Sequence, residues 1–147
     1  MQLLKHENRE VRTIAVSVMC NISQHNPVRF ALTQANAGPI LIELLSPSNE
    51  IVEFDEIHSR AAIVLSDLAC VGENQETLAG AIPPLVNLLT SSVEDVLINT
   101  VNALRILCLN NKVNQVTVAE NGAITHLVEF LSIDSGKPLQ FHFHGVF

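Results

Sequence analysis

Three leucine-rich runs, each headed by a glycine, recur along this chain. AGPILIELLSPS ends at Ser48, GAIPPLVNLLTSS runs from Gly80 to Ser92, and NGAITHLVEFLS ends at Ser132. Gly38, Gly80 and Gly122 stand 42 residues apart, twice over. A period of that length means a supersecondary unit that cannot bury its own apolar faces and must stack on its neighbours.

Longer segments alternate with the glycine-headed runs. From Glu7 to Ser23, Val11, Ile14, Ala15, Val18, Met19 and Ile22 fall on one stripe of an amphipathic helix. The same template fits Ile57, Ala61, Val64, Leu65 and Leu68, with Arg60 as a polar exception. It fits again at Val96, Thr100, Leu104 and Leu107, where Asn99 takes the place that Arg60 held. Each glycine-headed run reads as a shorter helix between two long ones. Gly80 suits a left-handed turn ending the element before it, and Pro83 and Pro84 suit a first helical turn, where a missing N–H costs nothing. Ser92 followed by Asp95 resembles a capping box for the next long helix. Pro47, among Ser46, Ser48 and Asn49, makes the equivalent break one unit earlier.

A third element completes the unit. HNPVRFALTQANA and NNKVNQVTVAENG both carry asparagine at the start, as His-Asn and Asn-Asn, and ENQETLAG fills the same slot with fewer residues. The unit is therefore short helix, short helix, long helix. Residues 1–132 hold about three of them, cut at both ends: a long helix at 7–23, a second unit at about 25–71, a third at about 73–110 and a partial fourth at 111–132. Ile124, Leu127, Val128, Phe130 and Leu131 are then expected to lack the long helix that should cover them. SIDSGKPLQFHFHGVF breaks the pattern with Gly136, Pro138 and alternating Phe and His, so 133–147 is expected to be a disordered tail outside the repeats.

Composition narrows the function. The net charge is −7, the eight basic residues are scattered, and Trp and Tyr are absent. A phosphate backbone would be repelled and single-stranded bases would find few stacking platforms, so nucleic acid is a poor partner. No apolar run approaches the roughly 18–20 residues of a membrane span, and MQLLKHENRE lacks the layout of a secretory signal. Cys20, Cys70 and Cys108 are widely spaced and each lies in an apolar periodic segment. They read as buried free thiols of a reducing compartment, hence an intracellular chain, cytoplasmic or nuclear.

Catalytic and metal chemistry find no foothold. There is no Cys-x-x-Cys, His-Glu-x-x-His or acidic metal loop, and His142 and His144 in FHFHG are too few to suggest a metal site. VGENQE around Gly72 lacks the glycines and lysine of a phosphate cradle. Ser66 and Asp67 adjoin, but no histidine on that helix face completes a triad. His6, His25, His58 and His126 read as surface residues at helix edges. No enzyme activity, cofactor, metal or small-molecule substrate is expected.

With three helices per unit, GAIPPLVNLL heading the second, and AVSVMCNIS and IVLSDLACV closing the third, the chain resembles the armadillo repeat family, and more narrowly chains that join ankyrin to armadillo repeats. The resemblance covers about Glu7 to Leu131; HEAT repeats, the nearest rival, normally use two helices per unit. It implies an all-α, right-handed solenoid whose long helices line a concave groove. In many members an asparagine late in the third helix bonds the backbone of an extended peptide; the matching positions here are Asn21, Asp67 and Ile106. A tryptophan four residues earlier grips basic peptides in the nuclear-import members; here the matches are Ser17, Ile63 and Asn102, none of them Trp. A strongly basic groove, as in cadherin-binding members, is also missing, with Arg60 and Arg105 the nearby cations.

The residues pick out the same face without the family. Beside the apolar stripes lie Glu10, Thr13, Ser17, Asn21 and Gln24, then Glu56, Ser59, Ile63, Asp67 and Cys70, then Asp95, Ile98, Asn102, Ile106 and Leu109, with Arg105 at the border. A solvated helix face accounts for any one of them. Ile63, Ile98, Ile106 and Leu109 need cover, from the adjacent repeat or from a partner segment. Ser17, Asn21, Ile63, Asp67, Asn102, Arg105 and Ile106 form the candidate partner-binding set. The expected function is a scaffold or adaptor holding a protein or peptide segment in the groove. The alternative is a structural segment that spaces or stabilises neighbouring domains and binds nothing there.

Overall fold

The computed structural model describes residues 1–46 and 55–132, and all of the regular structure within them is helical. A 3₁₀ turn at Gln2–Lys5 precedes α1 (Arg9–Ile22), α2 (Asn26–Gln34) and α3 (Ala37–Leu45). Next come α4 (Asp55–Ala69), the four-residue α5 (Asn74–Thr77), a 3₁₀ turn at Ala79–Ala81 and α6 (Ile82–Leu88). The last are α7 (Glu94–Cys108), α8 (Lys112–Glu120) and α9 (Ala123–Ser132). The long helices α1, α4 and α7 stack side by side, and α3 and α6 each pack on the long helix that follows. This is an α-solenoid. The break at Pro47–Asn49 and the tail with His142 and His144 lie outside the described residues.

Local chemistry sets most of the helix ends. Asn8 caps α1 by accepting from the N–H groups of Glu10 (2.8 Å) and Val11 (3.4 Å). Asn111 caps α8 by accepting from the N–H of Asn114 at 3.0 Å. Prolines occupy the first turns of α2 and α6, as expected for Pro83 and Pro84. The Ser92–Asp95 capping box does not form: α7 begins after Val93, whose N–H donates to Ser91 Oγ at 3.1 Å.

The three glycines of the 42-residue ladder do three different jobs. Gly122 has φ +86° just before α9, a left-handed turn that penalises a side chain. Asn36 holds the matching place before α3, at φ 58°, so the first member of the ladder is shifted by two residues. Gly38 lies inside α3, where an added Cβ would sit 2.8 Å from the Leu78 side chain; close approach explains it. Gly80 is not left-handed, contrary to the sequence expectation, and lies in the 3₁₀ turn leading to α6. In structural register Ala37, Ala81 and Ala123 match, all fully buried, and so do Leu41, Leu85 and Leu127.

The long-helix stripes form the core where two units meet. Ile57, Ala61, Val64, Leu65 and Leu68 are buried, as are Val96, Thr100, Leu104 and Leu107. On α1 only Met19 of the expected stripe is buried, joined by Val16 and Cys20, while Ile14, Val18 and Ile22 are exposed. At the far end Ile124, Val128 and Leu131 are exposed as expected, and Leu127 and Phe130 are half-buried against the core. Full burial of a Leu or Val contributes about 1.5–3 kcal/mol, so the middle units carry most of the stability.

Buried polar groups tie the units together. Asn74 donates to the Leu68 carbonyl and to Thr33 Oγ1, both at 2.9 Å. One unit later Asn114 donates to the carbonyls of Leu107 (2.9 Å) and Gln75 (3.0 Å). Gln75 in turn donates to the carbonyls of Ile106 (2.9 Å) and Leu109 (3.1 Å), closing the end of α7. Buried atoms of this kind that lack a hydrogen-bond partner among the described residues include the Oδ1 of Asn114 and the hydroxyl of Thr100, which is fully buried. Valine has its shape without the desolvated hydroxyl, so Thr100→Val should raise stability by about 1 kcal/mol in urea denaturation. A destabilised variant would show that the hydroxyl is satisfied in solution.

Of the thiols, Cys20 is buried, Cys108 half-buried and Cys70 exposed, so burial holds for the first two and fails for Cys70. Burial pushes the Cys20 thiol up to about 11 and raises that of Cys108, leaving both protonated near neutrality.

Candidate functional site

The exposed edge of the stacked long helices carries the polar and apolar residues singled out from sequence, and many of them bond across units. Ser23, fully buried, donates its hydroxyl to Asp67 Oδ2 at 2.6 Å, and the Arg29 guanidinium lies 3.9 Å from Oδ1. The Cys20 thiol donates to the Arg60 carbonyl at 3.2 Å. Asn99 Nδ2 donates to Ser59 Oγ at 2.6 Å, and Asn102 Nδ2 to Ser66 Oγ at 3.1 Å. The Asn102 carbonyl oxygen accepts from Arg105 Nε (3.2 Å) and Nη2 (2.9 Å).

The sequence-derived set therefore divides. Asn21 and Arg105 are exposed, and Ser17, Ile63, Asp67 and Asn102 are half-buried. Ser17 donates its hydroxyl to the Thr13 carbonyl at 2.7 Å. Asp67 and Asn102 already serve as struts between units. Ile106 is buried in the core, so its cover comes from within the fold and it offers no side chain to the groove. That placement corrects its inclusion. Ile98 is half-buried and Leu109 exposed.

One recess stands out. Between the N-terminal halves of α4 and α7, Glu56, Ser59, Arg60, Ile63, Val93, Asp95 and Asn99 line an open hollow of about 530 Å³. It brings together Glu56, Ser59, Ile63 and Asp95, four residues of the expected groove face. Asn99 and Val93 were missed as lining residues, and Arg60 was expected only as a cation near the groove. The signal was present: Arg60 and Asn99 are polar at matching positions of otherwise apolar stripes, which places them at the edge of the core. Arg60 Nη2 pairs with Glu56 Oε1 at 3.0 Å, so the recess holds one ion pair plus the exposed Asp95 carboxylate. Its chemistry is recognition: an apolar floor at Ile63 and Val93, amide and hydroxyl groups, and a net acidic rim. Among the described residues no group of three His, Cys, Asp or Glu could hold a metal ion, and no helix is long and apolar enough to cross a membrane.

A family profile for the Armadillo/beta-catenin-like repeat matches residues 75–109, from α5 through α7. The Ankyrin and armadillo repeat-containing protein of Homo sapiens is 38% identical over 117 residues, 78% of this chain. The fold is that of an armadillo repeat solenoid. The Mus musculus protein of the same name is 37% identical over 86% of the chain. This chain spans 8% of the length of each of these two relatives. Among solved armadillo structures, a computationally designed repeat protein for modular peptide recognition superposes with a TM-score of 0.81. It is 28% identical, over 99% of this chain and 60% of the designed one. A second designed armadillo protein, solved in complex with the peptide (KR)4, has a TM-score of 0.80 at 28% identity, over 96% of this chain and 58% of its own. The armadillo fold, whose designed relatives bind peptides, supports an interaction scaffold and a protein or peptide partner.

Proposed function

We propose that this armadillo segment is a non-catalytic interaction module that holds an extended peptide along its long helices, with the recess between α4 and α7 taking a basic side chain. The observation that carries this is the recess itself, in which Glu56 and Asp95 rim an apolar floor at Ile63. Coulomb attraction at the rim orients the ligand, and the apolar floor takes the aliphatic stem of a lysine or arginine. Asn21, exposed on α1, and Ser17 extend the same face toward the first unit. Asp67, Asn102 and Arg105 extend it toward the C-terminal ends of α4 and α7. The designed relative bound to a peptide of alternating lysine and arginine supports this ligand class. Free thiols support an intracellular setting, cytoplasmic or nuclear.

Titrating a labelled (KR)4 peptide by fluorescence anisotropy tests the reading. Glu56→Lys with Asp95→Lys should weaken binding about tenfold or more, with affinity falling as salt rises. Glu76→Lys with Glu120→Lys, on the short helices, should leave it within about twofold. Equal losses from both pairs would mean that net charge, not the recess, attracts the peptide. One observation favours a second reading, a structural spacer with no groove ligand: Asn99 and Asn102 already spend their amides on neighbouring helices. Failure of the basic peptide and of an acidic control to bind would support it.

A further inference from the structure

The recess between α4 and α7 carries a cation of its own. Arg60 brings Nε and Nη2 to one oxygen of Glu56, Oε1, at 3.1 and 3.0 Å. Among the described lining residues it is the one positive charge, set against the carboxylates of Glu56 and Asp95. The exposed Asp95 is open to a ligand at once, whereas Glu56 is already occupied. Glu56 and Arg60 stand four residues apart on α4, with side chains 56% and 36% exposed. Pairs of this kind on a helix surface hold weakly and exchange partners with other charges. The main chain at Arg60 is anchored separately, its carbonyl accepting from the Cys20 thiol at 3.2 Å. Burial, which raises the Cys20 thiol, is opposed in part by the nearby Arg60 charge. Release of the guanidinium from Glu56 therefore needs a rotamer change in one long side chain and no movement of α4.

We propose that Arg60 is a built-in competitor for the basic side chain that the recess receives, so that a ligand gains Glu56 only by displacing it. This rests on the basic-peptide reading above and adds the residue that limits it. A cation entering the recess meets Asp95 first and takes Glu56 as Arg60 swings to solvent. One ion pair is exchanged for another, so the affinity is lowered according to how much of the time Glu56 is held.

Fluorescence anisotropy with labelled (KR)4 reads a double-mutant cycle on the full 147-residue chain. Arg60→Gln should tighten binding about fivefold, because Glu56 is freed and a repelling charge is gone. In the Glu56→Gln background the same change should tighten it no more than about twofold, since only the repulsion is left to remove. Lys112→Gln, at the exposed start of α8, removes an equal charge away from the recess and should leave binding within about twofold. Helicity by circular dichroism should be unchanged throughout. Should Arg60→Gln lose helicity, Arg60→Met, which keeps an aliphatic stem without the charge, takes its place. Equal tightening in the two backgrounds would overturn the competitor, because Arg60 would then act by repulsion alone. So would wild-type binding that Arg60→Gln leaves unchanged or weakens, with the basic-peptide reading still standing. If (KR)4 binds neither wild type nor Arg60→Gln, both fall.

Discussion

Leu65→Ala should lower the stability of the chain by about 3 kcal/mol and its melting temperature by roughly 10 °C. Leu65 is fully buried on α4, the helix that α1, α3 and α7 all pack against. Truncation there removes the transfer free energy of three carbons and opens a void that three neighbouring helices would have to close together. The matched control is Leu131→Ala on α9, exposed and therefore expected to shift stability by no more than about 0.5 kcal/mol. Urea denaturation followed by circular dichroism measures both. Equal effects at the two sites would contradict a core centred on α4.

Asn114→Ala is the second large effect, at about 2–3 kcal/mol, and it adds the loss of two hydrogen bonds to the small void that the truncation leaves. The side chain is fully buried and its Nδ2 group donates to two carbonyls in different elements, Gln75 on α5 and Leu107 on α7. Alanine leaves both acceptors short of a donor in a water-excluded site, where the desolvation penalty is no longer offset. Asn114→Asp should cost more, because an acceptor then faces the two carbonyls that the amide served. Thermal melts of the three chains at neutral pH give the order Asn above Ala above Asp. An aspartate variant as stable as wild type would show that the two carbonyls do not depend on Nδ2.

Much of this architecture was legible because burial periodicity is a property of whole helices. The stripes through Val64, Leu65 and Leu68 and through Leu104 and Leu107 named two long helices and their inward faces correctly. The same reasoning put Val18 and Ile22 in the core, since a stripe records what a helix can bury and not whether a neighbour is present. Ile106 misled for a related reason: placed beside the stripe by counting, it is covered once α7 sits in its full environment. The roles of Asp67 and Asn102 depend on Ser23 and Ser66, which come from other units, and no local pattern announces a hydrogen bond between residues some forty positions apart. Asn74 and Asn114 were visible only as asparagines near short helices; their grip on the long-helix carbonyls needed the fold. The glycine ladder found the right period with one rung misplaced, because Asn36 serves at the turn that Gly122 makes elsewhere.

The struts between long helices bear on how this surface could respond to a ligand. Asp67 holds Ser23 of the preceding unit, and Asn102 holds Ser66, through the same atoms that they present along the groove. A ligand donor that takes the Asp67 carboxylate competes with the Ser23 hydroxyl, so its grip is set partly by how firmly one unit leans on the next. A ligand held as proposed at these two positions would link its occupancy to the pitch of the solenoid, whereas the exposed Asn21 could change partners without moving a helix.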